Sequence, residues 1–183
     1  MASEPLQSQP LPLEFYGLMG IYNQQMNRQF YDACAQLTDT ERKRDRGAFF
    51  QSIHRTLEHL LFGDLAWLGR FWEHPLTEAA IGDPLHENFD ELRQQREYWD
   101  EKIIDWTQTL THDWLLADLR YDSQAYGRTR VLPRWILVVH MFNHQTHHRG
   151  QLSTLLSQSD RNFGVTDLPW IKTLAMTELP TPC

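Results

Sequence analysis

Apolar residues recur at steps of three and four along four long segments of this chain, and that period dictates helices rather than strands. In "LEFYGLMGIYNQQMNRQFYDACAQL" the residues Phe15, Leu18, Met19, Tyr22, Met26, Phe30, Cys34 and Leu37 share one helical face. The same spacing runs through Phe50, Ile53, Leu57, Leu60, Leu61, Leu65, Leu68 and Phe71 in "AFFQSIHRTLEHLLFGDLAWLGRFW", after the polar break "TDTERKRDR". A loop marked by proline and glycine, "EHPLTEAAIGDPLHE", precedes a third helix, "NFDELRQQREYWDEKIIDWTQTL". Its expected N-cap is Asn88, answered by Glu91 three residues later in an Asn/Glu version of the capping box. The fourth helix, "RWILVVHMFNHQTHHRGQLSTLLSQ", follows Pro133, which suits the first turn. Before it, "WLLADLRYDSQAYGRTRVL" alternates loosely around Gly127 and reads as a short hairpin. The expected fold class is all-α: a bundle of four helices, whose interior suits a metal site built from facing side chains.

With 183 residues, the chain can bury a core without disulfide or metal staples. The expected organisation is a flexible leader over residues 1–11 and one domain over 12–183. The leader carries neither the basic start nor the apolar stretch of a secretory signal, and no apolar run is long enough for a bilayer. Two cysteines, Cys34 and Cys183, are too few for a disulfide framework, which points to the cytoplasm. A net charge of −7 disfavours a phosphate backbone as partner, so neither nucleic acid nor membrane is expected.

The histidines carry the chemistry. Four of the chain's nine fall between positions 140 and 148, in "HMFNHQTHH". Residues four apart on a helix are offset by roughly 40° and stacked about 6 Å apart, so such a pair can share one metal ion. Both His140 with His144 and His144 with His148 are such pairs. His140, His144, His147 and Gln151 also trace the 3,4 spacing of a buried face. Buried imidazoles need partners for a donor and an acceptor each, and a shared polar centre supplies them. Two histidines make an incomplete ligand set. The second helix offers His54 and His59 as a third, with Glu58 and Asp64 as acidic alternatives; His59, set among Leu57, Leu60 and Leu61, is preferred.

Several segments resemble the DinB-like superfamily of DNA-damage-inducible and related bacterial proteins. "YNQQMNRQFYDAC" is similar to that family's opening helix, and "TLEHLLFGDLAWLGRF" to its second. "HMFNHQTHHRGQLSTLL" is similar to its most specific signature, and "FGVTDLPW" to its closing segment. The resemblance implies a four-helix bundle in up-down-down-up order, a homodimer, and a divalent metal held by His59, His144 and His148. It places His140, His147 and Gln151 around those ligands, where they orient them or hold a water. Gly150, in the same signature, is expected to serve close helix packing.

Three neutral imidazoles would leave a dipositive site, able to acidify a bound water or bind a thiolate. The functional expectation is therefore a metal-dependent transferase using a low-molecular-weight thiol, or a hydrolase, acting on a small molecule. Zinc or nickel fits best, and iron is also compatible. His140, His147, Glu58 and Asp64 are the candidate proton handlers. The alternative is a non-catalytic stress-response protein that binds a metal or small molecule with the same residues.

Overall fold

Side-chain caps set where the helices begin. In the computed structural model, which describes residues 10–123, 127–171 and 174, helix α1 spans Leu13–Ala35, a one-turn α2 Asp39–Lys43, and α3 Ile53–Phe71. Helix α4 spans Phe89–Thr107, a one-turn α5 His112–Leu116, and α6 Arg134–Ser157. Strands β1 (Asp118–Ser123) and β2 (Arg128–Pro133) pair between α5 and α6, and a 3-10 turn follows at Leu168–Trp170. The leader other than residues 10 and 11, and Cys183, lie outside the described residues.

All four expected long helices form, with adjusted ends. The apolar spacing starts the second at Ala48, but the extended Ser52 accepts from the Arg55 N–H and starts α3 at Ile53. Phe50 thereby leaves the helical stripe and sits in the preceding turn, where Gln51 has a φ of +65°. The polar break conceals α2, nucleated by a complete capping box between Thr38 and Glu41. Asn88 caps α4 as expected, accepting from the Asp90 and Glu91 N–H groups. Pro133 is the N-cap of α6 and also ends β2, one position before the expected first turn. The hairpin makes the chain mostly helical rather than all-α.

Helix α1 runs antiparallel to α4, as Gly20 lies against Thr107, Asn27 bonds Asp100, and Tyr31 stacks on Phe89. Helix α3 runs antiparallel to α6, with Trp67 against His140 and His59 beside His148. Asp64 with Arg96, and Phe71 with Trp106, join α3 to α4 in the same direction. Most of the apolar core falls into two clusters, with a smaller third around Tyr22, Met26 and Ile171. One gathers Phe30, Leu57, Leu61, Leu92 and Leu156, and the other Tyr16, Leu68, Phe71, Ile103 and Met141. Along every long helix, buried polar residues fall between these clusters: Asn23 and Asn27, Asp64, Arg96 and Asp100, then Gln145 and Arg149. No helix among the described residues is long and apolar enough to cross a membrane.

Candidate metal centre

Antiparallel packing of α3 on α6 decides which histidines meet. Gly63 makes the middle of that crossing unusually close. A Cβ there would stand 2.7 Å from His144 Cε1 and 3.0 Å from its Nδ1, so only glycine admits the ring. His144 Nε2 comes to rest 3.1 Å from His59 Nε2, and His148 Nε2, one turn along α6, lies 3.2 Å from the same atom. The three ligand nitrogens all lie within 4.8 Å of one another.

The surroundings keep these rings neutral. Phe50 stacks on His59 with centroids 3.8 Å apart and meets His148 edge-on at 5.4 Å. Burial, reinforced by neighbouring imidazoles, depresses His59 to about 4 and His144 to about 3. Burial also lowers His148, against a hydrogen bond to Gln151 that favours its charged form. That bond runs from His148 Nδ1–H to Gln151 Oε1 at 2.8 Å, so the lone pair is on Nε2, facing the cluster. Zinc–nitrogen bonds of about 2.0–2.1 Å in tetrahedral array put ligand nitrogens roughly 3.3 Å apart. The observed separations of 3.1 and 3.2 Å match that requirement, so the donor set fits a divalent ion.

Beside the cluster opens a cavity of about 720 Å³. His59 and His144 form part of its wall, with Phe62, Gly63, Ala66 and Trp67 from α3, His140 from α6, and the hairpin beyond. Among the described residues, no carboxylate lines it.

Residues 14–179 match the sequence pattern of the DinB family. The chain belongs to the DinB family. It is 25% identical over 152 residues to Protein DinB of Bacillus subtilis (strain 168), covering 80% of this chain and 87% of that protein. The crystal structure of a DinB-like protein from Bacillus cereus ATCC 10987 matches with a TM-score of 0.61 at 19% identity, over 79% of this chain and 90% of that one. The latter likeness is one of fold.

Other candidate residues of this DinB-family chain go elsewhere. His140 lines the cavity edge-on to Trp67, its ring centroid 6.1 Å from that of His144, and burial lowers its pKa. His147 is exposed, with its ring 4.8 Å from that of His148. His140 and His147 therefore do not share a buried face with His144. The buried face of α6 runs through Met141, Phe142, Gln145, His148, Arg149 and Leu152, and His144 stands at its edge. Glu58 is turned away from the cluster: its carboxylate accepts from the Leu85 and His86 N–H groups at 2.7 and 2.9 Å and from Arg55 at 3.1 Å. His54 Nε2 donates to the His86 carbonyl at 2.8 Å, so both residues fasten the loop before α4. Asp64 is fully buried, receiving Arg96 and Gln145, each at 2.7 Å. Gly150 meets nothing within 4 Å of a would-be Cβ, so the glycine that allows α3 and α6 to pack closely is Gly63 instead.

Beyond the spacing of the histidines lies the polar layer behind them. Arg96 also reaches Asp100 at 3.0 Å, Asp100 receives Asn27 at 2.9 Å, and Arg149 donates to Asn23 and Asn27. Gln145 and Arg149 directly follow His144 and His148, so this layer anchors the α6 backbone from which both histidines project. The one advance signal was Gly63 itself, a glycine inside a strong helical pattern, which marks close approach.

Proposed function

We propose that the chain is a divalent-metal-dependent enzyme of the thiol-transferase or hydrolase type, with His59, His144 and His148 as metal ligands and the adjoining cavity as the pocket for a small molecule. The observation that carries this reading is the convergence of three neutral imidazole nitrogens at metal-sharing distances, with His59 and His144 on the wall of a cavity large enough for a substrate. We read the four long helices as an up-down-down-up bundle, in keeping with the directions of their contacts, and the assembly as a homodimer.

Bound there, a divalent ion would supply Lewis acidity toward a thiol, a water or a substrate oxygen. The protein's part is positioning. Gln151 fixes the His148 tautomer, Gly63 admits the His144 ring, and Phe50 shields His59 from water. His140, on the same wall, is the titratable group best placed to move a proton. Thiol transfer has more support than hydrolysis. The two carboxylates nearest in sequence, Glu58 and Asp64, are committed to other bonds, and no carboxylate base lines the described cavity wall. A thiol, far more acidic than water, asks less of such a base, and His140 is placed to take its proton.

Elemental analysis of untagged protein, purified without a nickel column, tests the site beside His59→Ala and His148→Ala. Near-stoichiometric metal in the wild type that falls in both variants is the expected result, and names the ion for screens of thiols with electrophiles. Wild type that takes up neither zinc, nickel nor iron would overturn the reading and leave a hydrogen-bonded polar cluster. Metal without turnover would leave the non-catalytic alternative. Light scattering tests the dimer against the 21.7 kDa chain mass.

A further inference from the structure

Alternation along a strand sends every second side chain to one face. In the hairpin, Leu119 pairs with Leu132, Tyr121 with Arg130, and Ser123 with Arg128. Leu119 is buried in the core cluster against which Tyr121 and Leu132 also pack, so this face looks inward. The outer face carries Arg120, Asp122, Thr129 and Val131, with Asp122 accepting the Thr129 hydroxyl at 2.6 Å. A hairpin that turns its leucine pair inward turns Arg130 and Arg128 inward too, and both line the cavity.

Arg70 of α3 joins them on the same wall. Its guanidinium donates to the Ala66 carbonyl at 3.0 Å and lies over the rings of Trp67 and Tyr121, 4.8 and 5.8 Å from their centroids. Among the described residues, none of the three arginines has a carboxylate partner. Three guanidiniums gathered without counter-charge in a chain of net charge −7 are unusual on electrostatic grounds. Between Arg70 and the histidines, α3 offers an apolar stretch of Phe62, Ala66 and Trp67, with Ile81 from the loop. Eleven helical residues separate Arg70 from His59, about 16 Å along the axis.

We propose that the cavity takes an elongated small organic anion, its anionic head held by Arg70, Arg128 and Arg130, its apolar body on Phe62, Ala66 and Trp67, and its reacting end at the histidine cluster. This deepens the functional reading and rests on the cavity being the substrate pocket. Arginine recognises carboxylate, sulfonate and phosphate heads through paired N–H donors, so the shared feature is a planar or tetrahedral oxyanion. The hairpin thereby acquires a role that helix packing alone does not give it: it brings the cations to the cavity.

Two fluorescent probes with one aromatic body test this: 8-anilinonaphthalene-1-sulfonate and its uncharged analogue N-phenyl-1-naphthylamine. Each is titrated into chelator-treated and then metal-loaded protein. The sulfonate is expected to bind about tenfold or more tightly than the neutral analogue, as charge-assisted hydrogen bonds would give. Arg128→Ala with Arg130→Ala, which leaves only Arg70, should remove most of that preference while leaving the neutral probe within about twofold. Arg120→Ala, on the outer face of the neighbouring strand β1, should change neither. Because Arg128 and Arg130 are exposed, the double variant should fold, and its circular dichroism checks that. Equal binding of the two probes, or equal losses from inner-face and outer-face variants, would overturn the proposal. Since the first titration contains no metal, such a failure leaves the metal site standing. Conversely, intact sulfonate preference in a protein that binds no metal would sink only the metal reading.

Discussion

The histidine cluster and the polar layer behind it are built from adjacent residues and solve opposite problems. Gly63 precedes Asp64, His144 precedes Gln145, and His148 precedes Arg149. On the inward side, Asp64, Asp100, Arg96 and Arg149 balance two negative against two positive charges. They bond one another and Asn23, Asn27 and Gln145 in nearly complete burial. On the cavity side, three like groups lie together with no counter-charge, and His148 makes it harder for both His59 and His144 to gain a proton. A network of opposite charges that bond one another is structural. A cluster whose lone pairs point at a shared centre is complete only with a further group.

Breaking the inward network should have the largest effect. Arg96→Met leaves Asp64 and Asp100 buried without their cation and should cost about 3–5 kcal/mol, measured by urea unfolding of metal-free protein. His144→Ala, on the cavity side, should cost only about 1 kcal/mol in the same assay while abolishing metal uptake. Equal losses would erase the distinction between the two regions. Gly63→Ala tests the junction: its Cβ cannot coexist with the His144 ring at 2.7 Å. Overpacking should cost about 1–3 kcal/mol and remove most metal affinity, which competition with a chromophoric chelator would report. Gln151→Ala removes the bond that orients His148 and should weaken metal binding about 10–100-fold with little change in stability.

The cavity side was far more legible from the sequence than the inward side. Histidine is a rare letter, and two of them four apart on a helix fix their separation whatever the rest of the fold does. Which residue of α3 faces them follows from the leucines around His59. The polar layer offered no such signal. Asn23, Asn27, Arg96 and Asp100 are letters that usually face solvent, and their burial depends on how four helices meet rather than on any one of them. Asp64 reads as a proton handler because it neighbours the site in sequence, yet one residue of helical rotation aims Gly63 at His144 and Asp64 at Arg96. Phe50 departs from the expected helix for a local reason: its spacing suits the apolar stripe, but Ser52 caps the helix after it.

The last expected effect is a pair of opposing pH slopes in metal-free protein. Folding holds His59 neutral down to about 4, whereas in the unfolded chain it takes a proton below about 6.5. Between those values the unfolded state binds more protons, so this residue's contribution to stability falls as the pH is lowered. Asp100 acts the other way. Burial outweighs the Arg96 guanidinium and pushes its carboxyl up to about 6, so in the folded state it protonates before it does in the unfolded chain. Its contribution therefore rises as the pH is lowered from about 6 toward 3.8. Relative to His59→Phe, wild type should lose stability between pH 6.5 and 4; relative to Asp100→Asn, it should gain stability from pH 6 to 4. Urea unfolding at half-unit pH steps reads both differences. Slopes of the same sign would mean that the cluster already carries its own counter-charge, or that the polar layer is not neutralised by protonation, and the contrast between the two regions would lose its electrostatic basis.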